Sequence, residues 1–332
     1  MKWIKRIILG SLAGALMAVL CGMAYEGWSR WRTARTVLPV GAVFDVNGKR
    51  SHIHCLGTGS PTVVLESGLD LAGSMSWDNV QEDMSRTTRV CSYDRAGIMW
   101  SESRAEPRSA VRIADELHAL LAVAGEEGPY VMVGHSLGGP LIRVFADRFP
   151  DEVAGLVFVD ASHPEQQERL PPEVAAAGGL PSPAVIKVAA TIGALRLSTP
   201  PPSGPMSDQA KVAVRAYSPQ SMSGVMGEVA AMEQIFAEGR ETGPYGDLPI
   251  AVMSAGPLQP PFPPGFNQDI ADRMWEVWQE LQGELAQLST NGTHHRMDDA
   301  SHYVHWDEPE AVVAVVAEVV GSVRESWAEP SH

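Results

Sequence analysis

Gly134-His135-Ser136-Leu137-Gly138 follows an apolar run at 130–133 and precedes a helical pattern, Leu141, Val144, Phe145 and Phe149. A hydroxyl on a sharp strand-to-helix turn stands exposed at a helix N-terminus, where backbone N–H groups favour developing negative charge. Strand and helix approach too closely there for a Cβ on either side, and Gly134 and Gly138 meet that need. Ser136 is therefore the candidate nucleophile. A glycine-rich turn with an incidental serine is the plainer alternative, and the flanking strand and helix argue against it.

A serine near neutral pH needs a base, and the base needs a partner that orients it. Ten histidines compete. His302 lies in Asp298-Asp299-Ala300-Ser301-His302-Tyr303-Val304-His305-Trp306, between a last strand-like run at 294–297 and a last helical pattern at 309–327. In the chain order nucleophile, acid, base, the base belongs there. His305 is the rival and is expected to pack beside the site. His52 and His54 alternate along one strand and read as surface positions. His135 points off the turn, and His294, His295 and His332 read as solvated.

These groups need elements to hold them. Strand-like runs occur at 42–46, 52–56, 62–66, 88–93, 130–133, 155–159 and 248–254, with the short one at 294–297. Amphipathic patterns lie between several of them, such as Ile113, Leu117, Leu120 and Leu121. Strands alternating with helices imply an α/β protein with a mainly parallel sheet covered on both faces. Residues 164–247 break the rhythm, with eleven prolines and two short helical patterns, at 184–197 and 224–238. This segment reads as a mostly helical lid inserted between core strands, with Met206, Met222, Met226 and Met232 available to line a pocket. After a proline cluster at 257–264, Ile270, Met274, Val277, Trp278, Leu281, Leu285 and Leu288 mark a long helix. The expected division is 1–36 as signal or anchor with linker, 40–163 as core, 164–247 as lid and 248–328 as core again.

The chain has 332 residues and a net charge of −15. Its 45 % apolar and 20 % charged content excludes a wholly disordered chain. The acidic balance speaks against nucleic acid as a partner. Three cysteines without Cys-x-x-Cys exclude a zinc ribbon. Residues 1–36 run against the overall charge, with Lys2, Lys5, Arg6, Arg30, Arg32 and Arg35 against Glu26 alone. Between Arg6 and Glu26 lie 19 uncharged residues, enough to cross about 30 Å of hydrocarbon. Trp28 and Trp31 suit an interfacial belt. The expectation is a retained anchor with the body outside the cytoplasm. The alternative is a signal cleaved after Gly22-Met23-Ala24, leaving a soluble periplasmic or secreted protein. In an oxidising compartment Cys55 and Cys91 form a disulfide or remain two buried thiols.

Five segments, taken in order, resemble the α/β-hydrolase superfamily from about residue 43 to 319. They are Leu65-Glu66-Ser67-Gly68-Leu69, Tyr93-Asp94-Arg95-Ala96-Gly97, the Ser136 turn, Val157-Phe158-Val159-Asp160-Ala161, and the His302 loop with Pro309. Within the superfamily the chain is similar to lid-bearing, esterase-like bacterial serine hydrolases. The resemblance implies a mostly parallel eight-stranded sheet flanked by helices, and no metal or organic cofactor. It places the oxyanion hole on the backbone N–H groups of Leu137 and Leu69, with Gly68 allowing the close turn. Asp70 departs from the pattern and must point away from an oxyanion. Met99 stands where relatives often have glycine, so Met99 and Trp100 either narrow the pocket or pack the loop. With Gly68, His135 and His305 they make up the expected surroundings of the substrate.

Many relatives carry the acid after the seventh strand, but 254–258 has none, and Asp269 is the first carboxylate beyond it. The other location is the end of the sixth strand, where Asp160 stands; Asp160 is the expected acid and Asp269 the alternative. The superfamily strand order puts the second strand beside the fourth, making Cys55 and Cys91 neighbours. A serine nucleophile implies acyl transfer, most directly a carboxylesterase acting on small hydrophobic esters. The alternatives are an amidase or iminopeptidase-like peptidase, which needs lid carboxylates such as Glu228, Glu233 and Glu238, and a catalytically silent binding protein.

Overall fold

The structure is a computed structural model that describes residues 2–105, 107–177, 182–198 and 201–328. Its centre is an eight-stranded sheet in the order β1-β2-β4-β3-β5-β6-β7-β8. The strands are β1 Ala42–Val46, β2 Lys49–Leu56, β3 Thr62–Glu66, β4 Val90–Tyr93, β5 Tyr130–His135, β6 Val153–Val159, β7 Ile250–Ala255 and β8 Gly292–Met297. β2 runs antiparallel to both β1 and β4, and every other pairing is parallel. The central strands are near-continuous apolar runs because helices cover both faces. β3, β5 and β7 are buried at every position.

One face packs against helices Ala110–Ala124, Gly138–Arg148, Met232–Arg240 and Gln268–Ala286, with Leu117, Phe145, Ile235 and Leu285 in the same core. The other packs Trp77, Met84 and the valines of helix Pro309–Ala328. Local chemistry sets the helix ends. Ser109 Oγ accepts from Arg112 N at 3.2 Å to open helix Ala110–Ala124, and Gly125 closes it in the left-handed conformation.

Among its described residues the 164–247 insertion forms helices Gln166–Arg169, Pro172–Ala177, Pro183–Thr191, Leu195–Ser198, Asp208–Ala230 and Met232–Arg240. The pattern expected at 224–238 is two helices, and the first starts far earlier, because it runs straight through Pro219. A proline in a helix interior removes one hydrogen bond, but Pro219 is buried and the neighbouring Ser218 Oγ donates to Val214 O at 2.6 Å. This helix sits directly on the core. A Cβ on Gly224 would lie 2.7 Å from the Gly97 backbone. Met206, Ala210, Val214 and Tyr217 share a small apolar cluster with Met75, Ile98, Met99 and Trp100.

Helix Lys2–Thr36 carries one stretch long and apolar enough to cross a membrane. Its far end is held by the insertion. Glu26 is buried between Arg30 Nε at 2.6 Å and Arg196 Nε at 2.5 Å. Cys55 and Cys91 face each other in the β2–β4 register and are disulfide-bonded, with Cα atoms 4.0 Å apart.

Candidate active site

Ser136 follows β5 with φ at 51°, a left-handed conformation that turns the chain sharply from strand into helix Gly138–Arg148. A side chain in that region costs of order 1–3 kcal/mol and persists only where neighbours fix it. Here the Ser136 carbonyl accepts from Gly139 N at 2.9 Å and Ser162 N at 2.7 Å. The glycines on either side are required. A Cβ on Gly134 would lie 2.7 Å from Gly138 O, and one on Gly138 would lie 2.6 Å from Glu66 O.

Three side chains meet at the C-terminal edge of the sheet. His302 Nε2 is 3.0 Å from Ser136 Oγ, and His302 Nδ1 is 2.6 Å from Asp160 Oδ2. An ionised carboxylate only accepts, so Nδ1 carries the ring proton and Nε2 presents its lone pair to the Ser136 hydroxyl. Asp160 is buried just past the end of β6, with φ at 42°. Its backbone N–H donates to Met253 O at 2.7 Å. Its second oxygen, Oδ1, accepts from Ala255 N at 2.8 Å and from the Trp278 indole at 2.7 Å. Asp269 is exposed in the first turn of helix Gln268–Ala286, where it faces a helix N-terminus rather than His302.

The loop after β3 closes against Ser136. A Cβ on Gly68 would lie 3.0 Å from Ser136 Cβ and 2.9 Å from His135 Nδ1. Among the described residues, the backbone N–H groups of Leu69 and Leu137 have no protein acceptor. Asp70 is turned into its own loop, where it accepts from Ala72 N at 2.7 Å, Gly73 N at 2.8 Å and Ser76 Oγ at 2.9 Å. Burial raises its carboxyl above the ordinary range, against the pull of Arg95.

Arg95 holds this loop from below and was not singled out by spacing. Its guanidinium donates to the carbonyls of Ser67 and Gly68, both at 2.7 Å, and to Glu66 at 2.6 Å. It also makes a two-pronged pair with Glu228 of helix Asp208–Ala230, at 2.7 and 2.8 Å. Burial alone works against the charge, but Glu228 and Glu66 hold the Arg95 pKa well above its ordinary value. Tyr93 completes the network by donating its hydroxyl to Glu66. The sequence trace of this network is Arg95 within Tyr93-Asp94-Arg95-Ala96-Gly97, one of the segments that carry the superfamily resemblance. Its partner Glu228 lies 133 positions away.

The expected pocket residues need correction. Met99, Trp100, His135 and His305 are all buried. Met99 has φ at 43°, which explains why glycine suits this position. Ser221 Oγ accepts from its N–H, and Gln220 donates to its carbonyl, both at 2.8 Å, so the insertion fixes it as loop packing. Trp100 lines a different cavity, between β2 and helix Asp208–Ala230. His135 donates from Nε2 to His302 O at 2.9 Å and meets His305 edge-on, and His305 in turn packs against Trp77. Burial pushes His305 down to about 3, with His302 adding to the effect, and burial pushes His135 well below its ordinary value. Both rings are neutral, so neither opposes a positive charge on His302. His52 is not a surface residue either; it is buried with Nδ1 2.8 Å from Asp94. His332 lies outside the described residues.

One cavity reaches His302 and Asp160 without touching Ser136 itself, so it lies on the side of His302 away from the β3 loop. It has a volume of about 780 Å³ and is walled by Leu170, Val174, Leu258, Met274, Trp275 and Trp278, with Asp160 and His302 at its floor. The four methionines of the insertion do not line it. Met206 and Met226 are buried elsewhere.

The sequence model of the family described as alpha/beta hydrolase fold matches residues 61–309. An uncharacterised protein of Schizosaccharomyces pombe is 38 % identical over 135 residues, which is 41 % of this chain and 25 % of that protein. The chain spans between about a sixth and a half of the length of the first curated relatives it matches. A thermophilic esterase from Thermogutta terrifontis superposes with a TM-score of 0.55 at 18 % identity, over 85 % of this chain and 97 % of the other. A haloalkane dehalogenase loop variant from Bradyrhizobium elkanii superposes at 0.65 and 18 % identity, over 87 % and 98 %. At these identities the two structures speak for the fold alone.

Proposed function

The chain belongs to the alpha/beta hydrolase fold family, and from that membership we propose that it is a serine hydrolase cleaving carboxylic esters of apolar groups. The observation that carries this reading is the unbroken run of hydrogen bonds from Ser136 through His302 to Asp160. His302 Nε2 takes the hydroxyl proton as Ser136 Oγ attacks the acyl carbon. Asp160 holds the ring in the required tautomer and balances its charge. The oxyanion is held by the N–H groups of Leu137 and Leu69. His302 then protonates the leaving alcohol, and water repeats the sequence on the acyl-enzyme.

A hydroxyl nucleophile separates this chemistry from carbon–halogen cleavage, which proceeds on this fold through an attacking carboxylate. The lid gives the peptidase alternative little support, because of its three carboxylates only Glu233 is exposed and without a protein partner among the described residues. Glu228 is consumed by Arg95, and Glu238 accepts from Val111 N at 3.0 Å, so neither is free to bind a substrate ammonium. The 164–247 insertion serves as the lid. Helix Lys2–Thr36 anchors the protein in a membrane with the body outside the cytoplasm, where an oxidising medium maintains the Cys55–Cys91 bond.

The test is covalent labelling of the full chain with a fluorophosphonate, alongside hydrolysis of p-nitrophenyl butyrate. The expected outcome is one label on Ser136, with both labelling and turnover lost in Ser136→Ala. Turnover that survives Ser136→Ala would sink the reading.

A further inference from the structure

We propose that the cavity beside His302 seats the departing alcohol of the ester and selects neutral aromatic or bulky apolar alcohols; this rests on the acyl-transfer reading of Ser136. Strand order fixes the sides. The two oxyanion N–H groups follow β3 and β5, whereas the cavity lies beyond the ends of β6, β7 and β8. Ser136 directly follows β5, between the β3 loop that carries Leu69 and the strand ends that wall the cavity, so Leu69 and the cavity lie on opposite sides of it. A carbonyl oxygen turned toward Leu69 and Leu137 leaves the other substituents of the acyl carbon facing outward or toward His302. The substituent beside His302 must be the alcohol oxygen. As the acyl C–O bond breaks, its electron pair stays on that oxygen and the Nε2 proton of the imidazolium joins it, while the acyl group remains on Ser136 Oγ.

The walls state what fits. Trp275 and Trp278 turn their indole N–H groups inward, to Ala255 O at 3.4 Å and Asp160 Oδ1 at 2.7 Å. Arg296 lies over one face of Trp275, 4.9 Å from the ring centroid, while it donates to Asp298 at 3.0 Å. Trp278 and the other face of Trp275 remain to meet an apolar or aromatic group, with Leu258 and Met274 beside them. The charged groups lining the cavity are carboxylates, Asp160, Asp298 and Asp299, with no lysine or arginine among them. An anionic leaving group is therefore disfavoured.

The experiment uses the full chain in detergent with two ester series. One varies the alcohol on acetate (ethanol, benzyl alcohol, 1-naphthylmethanol). The other varies the acid on ethanol (acetate, phenylacetate, 1-naphthylacetate). Burying one aromatic group predicts that kcat/KM rises about tenfold or more along the first series and far less along the second. Leu258→Trp fills the cavity and should cut the preference for 1-naphthylmethyl over ethyl acetate by about tenfold. In the wild type, 1-naphthylmethanol should inhibit competitively and 1-naphthylacetate should not, a readout that needs no variant. A preference carried by the acid series, or an alcohol preference untouched by Leu258→Trp with no inhibition by the alcohol, overturns the assignment. Fluorophosphonate labelling of Ser136 separates the two levels: a labelled enzyme indifferent to its alcohol sinks this proposal alone, whereas no label and no ester turnover sinks the acyl-transfer reading with it.

Discussion

Asp160 leans on two donors besides His302, and both come from the region that would otherwise supply the acid. Ala255 N ends β7, and Trp278 lies on the helix that follows. A carboxylate held by three donors has one orientation open to it, which fixes the His302 tautomer. Asp160→Asn should keep the fold by circular dichroism but lower kcat by about three to four orders of magnitude, because the imidazolium loses its charge partner. Asp269→Asn should leave kcat within about twofold, since Asp269 is exposed at a helix start. The reverse pattern on p-nitrophenyl butyrate would displace Asp160. The buried histidines set a second expectation. His305 is held down at about 3, and burial with Arg143 holds His163 at about 4. An unfolded histidine binds a proton near pH 6.5, so between there and the depressed values the unfolded chain holds protons that the folded chain lacks. Each such residue costs the fold about 1.4 kcal/mol per pH unit as pH falls below about 6.5. Burial raises Glu66 and Asp70, which acts in the opposite sense, so a substitution must isolate the histidine part. His305→Phe should flatten the dependence of urea-unfolding free energy between pH 6.5 and 5 by about that slope. An unchanged slope would assign the acid sensitivity to other groups.

Strand signals are strong because the buried parallel strands are unbroken apolar runs, and all eight strands overlap the expected runs, with ends that differ by up to three residues. The insertion was read less well. Pro219 reads as a break, yet burial holds helix Asp208–Ala230 together across it. Ser136 and His302 were legible because each sits at a strand-to-helix junction with local punctuation. Trp278 and Arg95 were not, because their roles depend on partners 118 and 133 positions away. The pocket failed for a related reason. Met99 and Trp100 are near Ser136 in the superfamily order, but local spacing does not reveal that the insertion packs over them. At the same scale, β2 and β4 place Cys55 opposite Cys91. Intact mass of the oxidised protein after alkylation should show one modified thiol, Cys21, and three after reduction. Opening a loop of this size should lower stability by about 3–4 kcal/mol in urea unfolding. Two further reactive thiols without reductant would show that the bond is absent.

For the whole molecule, the apolar helix and the insertion are physically joined through Glu26 and Arg196, and Gly22 lies against the backbone of Ile192. The native protein should sediment with membranes, resist extraction by high salt, and retain residues 1–24. N-terminal sequencing that starts at Tyr25 would show a cleaved signal instead. In either case the insertion stays bound to the residues that follow the apolar stretch.

Arg95 decides how far the molecule can be taken apart and recombined. Lids on this scaffold are attractive parts to exchange, since an insertion between β6 and β7 enters and leaves at neighbouring strands. Here the insertion also brings the counter-charge for a buried guanidinium that grips the loop opposite Ser136. A transplanted lid without a carboxylate at the place of Glu228 would leave Glu66 as the one carboxylate facing that buried charge, and would slacken the loop that carries Leu69. The recipient would then suffer in its chemistry as well as its specificity. Any chimera must move Arg95 and Glu228 together, as one heritable unit.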